Sequence, residues 1–256
     1  MTSPKDDHDR RQRVARQHLE TNTLLGVDFV PIHSVVTASA STTEVKPVRA
    51  EVSSVSADEK QAALDAVHER HDAACPHCTE ATAHTRTVFG EGDPNAGLMF
   101  VGEAPGAEED KQGRPFVGRS GQKLEQIINA MGLAREQVYI ANVLKSRPPN
   151  NRTPLQHEID ACSSYLHEQI RIIQPKVIVT LGGPAAKLLL QTTVGITKLR
   201  GTWATFTDDA TDPPLTVDVM PTFHPAYLLR NYTQETRQMV WNDMQMAMER
   251  LGTSDS

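Results

Sequence analysis

Leu98-Met99-Phe100-Val101-Gly102-Glu103-Ala104-Pro105-Gly106 is an apolar run that breaks directly into a glycine turn. A short apolar run bounded by turn residues reads as a strand buried on both faces. A second such run, Val217-Asp218-Val219-Met220, leads into Pro221-Thr222-Phe223-His224-Pro225 toward the other end of the chain. In an open parallel sheet, ligands bind beyond the carboxyl ends of the strands. Two polar turns placed there, though distant in sequence, can close on one pocket.

The segments between them supply more strands and their cover. Leu124, Ile127, Ile128 and Met131 repeat at helical spacing and stop at Gly132, and Val138-Tyr139-Ile140-Ala141 reads as the next strand, ending at Asn142. Ile159, Cys162, Tyr165, Leu166, Ile170 and Ile173 mark a second amphipathic helix. Val177-Ile178-Val179-Thr180-Leu181 is a further strand stopped by Gly182-Gly183, with helices over 185–190 and 234–251 after it. Strands alternating with helices predict an α/β fold, a three-layer αβα sandwich on a central four-stranded parallel sheet.

Residues 1–60 have a different character and read as a partly disordered N-terminal extension, leaving 61–256 as the folded domain. A short charged helix over 9–25 could fold on binding a partner, of which the sequence says nothing. Residues 31–56 read as a solvated linker, broken at Val45-Lys46-Pro47-Val48. Order is expected from Asp58, where Ala62, Ala63, Ala66 and Val67 fit one helix face leading to Cys75.

A hydrophobic content of 38% suffices for one core. No run approaches the roughly 18 apolar residues of a membrane span, so no membrane partner is expected. Nothing at the start resembles a secretory signal, and Asp6, Asp7 and Asp9 argue against a mitochondrial presequence, so the expected setting is cytoplasmic. A net charge of −6 disfavours indiscriminate nucleic-acid binding. Even so, Arg114, Arg119, Lys123, Lys145, Arg147, Arg152, Arg200 and Arg230 fall in or beside the turn segments and predict a local basic rim. Three cysteines cannot close a disulfide framework. Cys75-Pro76-His77-Cys78 has the spacing of a metal or cluster half-site, with Cys162 standing alone.

From Cys75 onward the chain resembles the family 4 uracil-DNA glycosylases, the iron–sulfur branch of that superfamily. Five segments carry the resemblance, in order: Val88-Phe89-Gly90-Glu91-Gly92, Val101-Gly102-Glu103-Ala104-Pro105-Gly106 and Gly113-Arg114-Pro115-Phe116-Val117-Gly118, then Asn142-Val143-Leu144-Lys145-Ser146-Arg147-Pro148-Pro149 and Phe223-His224-Pro225-Ala226-Tyr227-Leu228-Leu229-Arg230. The fold implied is glycosylase-like. The activity implied is hydrolysis of the bond between uracil and deoxyribose in DNA by a monomer, leaving an abasic site for base-excision repair. Because a base inside a duplex must be extruded before it is cut, the site needs a base pocket, a leaving-group stabiliser, a positioned water and a wedge.

The resemblance distributes those roles. Asn142 reads the base: its amide accepts from uracil N3–H and donates to O4, whereas cytosine presents the reverse pattern. Phe116 stacks on the ring, and Gly102, Ala104 and Gly106 form the turn that lets backbone approach it. His224 donates to O2 as negative charge develops there, and a neutral imidazole suffices. Ala104 stands where the best-known branch has a water-activating Asp, which leaves Glu103, Glu109 and Asn151 as candidates, with Glu109 preferred. Gly106 stands where that branch has a Tyr that blocks the 5-methyl group, so thymine exclusion falls to Glu103 or pocket backbone. Lys145, Arg152 and Arg230 are expected on DNA, with Tyr227, Leu228 and Leu229 as the wedge.

The resemblance also implies a [4Fe–4S] cluster on four cysteines. Cys75, Cys78 and Cys162 match three positions and Ser146 stands at the fourth, which leaves a Ser-ligated cluster, a three-iron cluster, substitution by His77 and no cluster as open readings. Two rivals lose ground on sequence. The stretch 145–152 has no His and no insertion for covalent trapping, and neither G-x-x-x-x-G-K-[ST] nor G-x-G-x-x-G follows the first strand. The remaining alternative is a glycosylase-like protein that binds uracil-DNA without turnover.

Overall fold

The structure, a computed structural model, describes residues 55–80 and 84–252. The helix expected over 9–25 lies outside them, as does the linker expected over 31–56 except for Val55 and Ser56. The first described helix, α1 (Ala57–Ala74), starts ahead of the domain boundary expected at 61, because Ser56 and Glu59 close a reciprocal capping box on its first turn. Its buried stripe is Leu64, Val67 and His71 rather than the alanine face, since the larger side chains gain more from burial. A short helix, α2 (Pro76–Glu80), follows.

Among the described residues six strands form one sheet: β1 (Glu91–Gly92), β2 (Leu98–Gly102), β3 (Tyr139–Asn142), β4 (Val177–Leu181), β5 (Ala204–Asp208) and β6 (Leu215–Thr222). Their order is β1-β3-β2-β4-β6-β5. The inner four are the expected parallel strands, and β1 and β5 add antiparallel edges. The sheet is therefore mixed and six-stranded, not a four-stranded parallel one. Phe206 and Asp208 are the buried residues of β5 and β1 has two half-buried ones, so neither edge carries the apolar run that betrays an inner strand.

Helices cover both faces. On one, Met99, Val101, Tyr139, Ala141 and Ile178 pack with α1, with Leu166 and Ile170 of α5 (Gln156–Ile173), and with Ala185 and Leu189 of α6 (Gly183–Leu189). On the other, Leu98, Phe100, Ile140, Val177 and Val179 pack with Leu124 and Ile128 of α4 (Arg119–Ala130) and with Trp241 and Met244 of α9 (Gln234–Leu251). Alternate residues of one strand thus serve opposite cores, which is why the inner strands read as unbroken apolar runs. Three short helices, α3 (Ala107–Gln112), α7 (Ile196–Leu199) and α8 (Pro225–Arg230), lie in the connections. Among the described residues no helix is long and apolar enough to cross a membrane.

Candidate active site

Strand register assembles the pocket. Gly102 and Asn142, the last residues of β2 and β3, are direct partners across the parallel ladder. A Cβ at Gly102 would stand 2.3 Å from Asn142 Oδ1 and 2.5 Å from Phe116 Cζ. The glycine is therefore required by close approach, and it is the point where three sequence-distant segments meet. The Phe116 and His224 rings lie 5.7 Å apart between centroids. Asn142 is 1% exposed, and its Oδ1 is buried without a hydrogen-bond partner. Leaving such an acceptor unpaired costs about 1–3 kcal/mol.

His224 caps α8. Ala226 N–H donates to His224 Nδ1 at 3.0 Å. A backbone amide can only donate, so Nδ1 is the acceptor and the proton of the neutral ring sits on Nε2. Burial, aided by the Arg230 charge and opposed by Glu109, pulls the imidazole down to about 4. The ring is neutral near pH 7 and keeps one N–H donor. Gly182, in the left-handed region at φ 98°, makes room for it, since a Cβ there would stand 3.1 Å from His224 Cβ.

Phe116 itself has φ 50°, an outlier for a bulky residue. Its neighbours hold it there. Glu109 Oε1 accepts from Val117 N–H at 2.9 Å and Gly118 N–H at 2.8 Å, while Oε2 accepts from Gly106 N–H at 3.2 Å. Arg135 donates to Phe116 O at 3.2 Å and also to Pro115 O. Glu109 therefore ties the β2 turn to the stacking loop. With both oxygens committed to backbone, it reads as a positioning residue rather than the preferred water activator. Gly106 is held empty by the same carboxylate, because a Cβ there would stand 2.7 Å from Glu109 Oε2. Burial pushes the Glu103 carboxyl up from its ordinary range. Asn151 is exposed, and its Oδ1 accepts from Arg147 at 2.6 Å. Ala104 packs against the core at the same turn.

Several expected DNA contacts sit elsewhere. Lys145 is fully buried and donates to Asn142 O at 2.9 Å and to Gln169 Oε1 at 2.5 Å, so it braces the end of β3 and cannot reach a phosphate outside. Arg152 is held by Glu158 at 2.6 and 2.7 Å. Arg114 pairs with Glu91 and Arg200 with Asp243, which thins the expected rim. Leu228 is 1% exposed and belongs to the core, whereas Tyr227 and Leu229 are exposed at 36% and 37%. Arg230 and Arg119 are exposed, with no acidic partner among the described residues.

A second constellation lies on the α1–α5 side. Cys75, Cys78 and Cys162 converge as expected, and His71, which the cysteine spacing did not bring to notice, joins them: one ligand atom from each lies within 4.8 Å of the others. The signal was a His four residues before Cys75, in the last turn of the helix that Cys75 caps. Cys75 Sγ and Cys78 Sγ are 3.6 and 3.7 Å from Cys162 Sγ, and His71 Nε2 is 3.2 Å from Cys78 Sγ. Ser146 Oγ stands beside the group, 3.3 Å from Cys78 Sγ and 3.1 Å from His77 Nε2. These four residues can hold a metal ion. They do not match the four cysteine thiolates that hold a [4Fe–4S] cluster, since Ser146 stands at the fourth position and His71 completes the group.

The chain belongs to the uracil-DNA glycosylase superfamily, whose profile matches residues 89–245. It is 46% identical over 174 residues to the type-4 uracil-DNA glycosylase of Thermotoga maritima, covering 68% of this chain and 87% of that protein. It is 45% identical over 180 residues to the type-4 uracil-DNA glycosylase of Sulfurisphaera tokodaii, covering 68% and 79%. A type-5 uracil-DNA glycosylase from Pyrobaculum aerophilum matches at 32% over 152 residues, covering 54% and 64%.

Proposed function

We propose that this chain is a monofunctional, type-4-like uracil-DNA glycosylase acting in base-excision repair. The observation that carries the reading is the buried, unpartnered Oδ1 of Asn142 beside the Phe116 ring. It is an acceptor held ready in a slot sized by Gly102, and uracil N3–H is the donor that suits it.

In this reading uracil leaves the helix and stacks on Phe116, with Asn142 reading N3–H and O4. His224 Nε2–H donates to O2, where negative charge gathers as the C1′–N1 bond breaks. That interaction strengthens toward the transition state, which is the condition for it to raise the rate. Water adds to C1′ of the sugar cation, and Glu103 takes its proton. The departing uracil anion takes up that proton through solvent, which restores Glu103 and leaves free uracil and an abasic deoxyribose. Glu109 positions the slot, and Gly102, Ala104 and Gly106 shape its floor. Tyr227 and Leu229 fill the gap in the duplex, and Arg230 holds a phosphate. The metal group lies outside these steps, and no part of the chemistry is routed through it.

The enzyme acts as a monomer on uracil-containing DNA in the cytoplasm, at the nucleoid of a prokaryotic cell, with 61–256 as its glycosylase domain. The test is incubation with matched uracil-, thymine- and cytosine-containing oligonucleotides, followed by alkali and a denaturing gel. Cleavage confined to the uracil strand and lost in His224→Ala supports the reading. Retention of uracil-DNA without cleavage supports binding without turnover instead.

A further inference from the structure

The α1–α5 constellation has the dimensions of a single-ion site. A tetrahedral ion with metal–sulfur bonds of about 2.3 Å and a metal–nitrogen bond of about 2.0 Å places its sulfurs about 3.8 Å apart and its nitrogen about 3.5 Å from each sulfur. The sulfur pairs at 3.6 and 3.7 Å and the His71–Cys78 separation of 3.2 Å lie close to those values. We infer that the chain carries one tetrahedral zinc ion on His71 Nε2, Cys75, Cys78 and Cys162, in place of an iron–sulfur cluster, and that His71 rather than Ser146 supplies the fourth bond.

The surroundings of His71 support that choice. Its ring is fully buried, and His71 Nδ1 lies 2.8 Å from Asp72 Oδ1. A carboxylate on the outer ring nitrogen fixes the proton there and turns the Nε2 lone pair inward, the usual support for a metal-bound imidazole. Thr87 Oγ1 donates to the same Asp72 oxygen at 2.8 Å and steadies it. The helix end adds register: His71 lies in the last turn of α1 and Cys75 caps it, its N–H donating to His71 O at 2.9 Å, which holds the two ligands four residues apart.

Ser146 is then a neighbour, not a ligand. Its hydroxyl lies within reach of the Cys78 sulfur on one side and of His77 Nε2 on the other, and His77 Nδ1 is 3.7 Å from Glu158. A serine hydroxyl keeps its proton far more readily than a thiol, whereas three thiolates and one imidazole form a familiar structural zinc set. Three thiolates and a dication leave one negative charge in the protein interior; burial pulls the Lys145 ammonium down to about 7, and charge on the three cysteines acts against that fall.

The experiment uses the full chain, purified without added metal and again after loading with zinc alone or with iron and sulfide. Metal and acid-labile sulfide are counted per chain, and the zinc-edge X-ray absorption spectrum of the unmutated protein reads the first shell. One zinc per chain, no bound sulfide, three sulfurs and one imidazole nitrogen are expected. The stoichiometry should survive Ser146→Ala, fall at least tenfold in apparent zinc affinity for His71→Ala, and return in His71→Cys. Iron and sulfide at about four each per chain, a shell without imidazole, or full zinc retention in His71→Ala overturns the assignment. The spectrum needs no variant, so poor folding of a mutant leaves the test intact. Uracil excision is not a readout here, so the metal and the activity are judged separately.

Discussion

Ala226 N–H points at His224 Nδ1 across 3.0 Å, and that one bond decides which ring nitrogen faces the pocket with a proton. Removing the donor with His224→Ala should lower kcat by about 10²–10³, the usual loss for one such group. Because burial holds the folded ring down to about 4, no activity step near pH 6.5 should belong to it. The unfolded ring takes its proton near an ordinary value of about 6.5. Its contribution to stability is therefore complete above that pH and shrinks as pH falls toward about 4. Titration of the ring by NMR, alongside a pH–rate profile, checks both statements.

Asn142→Ala removes an acceptor that the empty protein leaves unsatisfied. Uracil excision should fall by about 5–150-fold in kcat/KM, the equivalent of one buried hydrogen bond left unmade. The Tm should move little, because no internal bond to Oδ1 is lost. A large Tm drop with unchanged kcat/KM would assign Asn142 to the fold instead.

Glu109 sets up a different pattern. In Glu109→Ala the amides of Val117 and Gly118 lose their acceptor, and hydrogen exchange at these two positions should quicken. Phe116 then loses its fixed place, and a misplacement near 1 Å costs about 10²-fold in rate. Glu109→Gln keeps one acceptor oxygen and should recover part of both losses, which a water-activating role would not permit.

Glu103 gives the acid limb. Burial raises its carboxyl, so activity should fall as pH drops through a midpoint above the ordinary range of about 4.3. The limb should vanish in Glu103→Gln, with kcat lower by about 10²–10⁴. The same shift makes the folded state the better proton holder, so this residue's contribution to stability declines as pH rises through that window.

Gly102→Ala tests the slot directly. A Cβ there must displace Asn142 or Phe116, so binding of free uracil, measured by calorimetry, should be lost while the far-ultraviolet dichroism stays unchanged. Tight binding in this variant would remove Gly102 from the pocket.

The parallel strands and both turns were legible because burial on two faces leaves a mark in every residue of a strand. Leu98–Gly102 and Val177–Leu181 are buried throughout. The edges left no such mark, since Thr205 and Thr207 of β5 face solvent. Motif context singles out Asn142, Phe116 and His224, which the fold brings together, whereas the expectation of Lys145 on DNA does not match its burial. A lysine in a loop reads as a solvent-facing cation, and only the fold reveals that Gln169 and the end of β3 enclose it. His71 was passed over for a related reason. Its significance depends on Cys162, which reaches it from a helix beginning far along the chain.

Cys75 and Cys162 stand 87 positions apart in sequence yet 3.6 Å apart in space. Any bond that joins them through a shared ion closes a loop of that length in the unfolded chain. For a covalent tie, loops of 15–100 residues correspond to about 3–5 kcal/mol of lost chain entropy. That constraint would fall on the denatured ensemble and on the docking of α1, which reaches the sheet through α5. The proposed uracil slot is built from β2, β3 and the His224 turn, and none of the four residues assigned to the ion belongs to these. Stripping the ion should then lower the unfolding temperature and release the first helix, while the base is still read by a wall that keeps its shape.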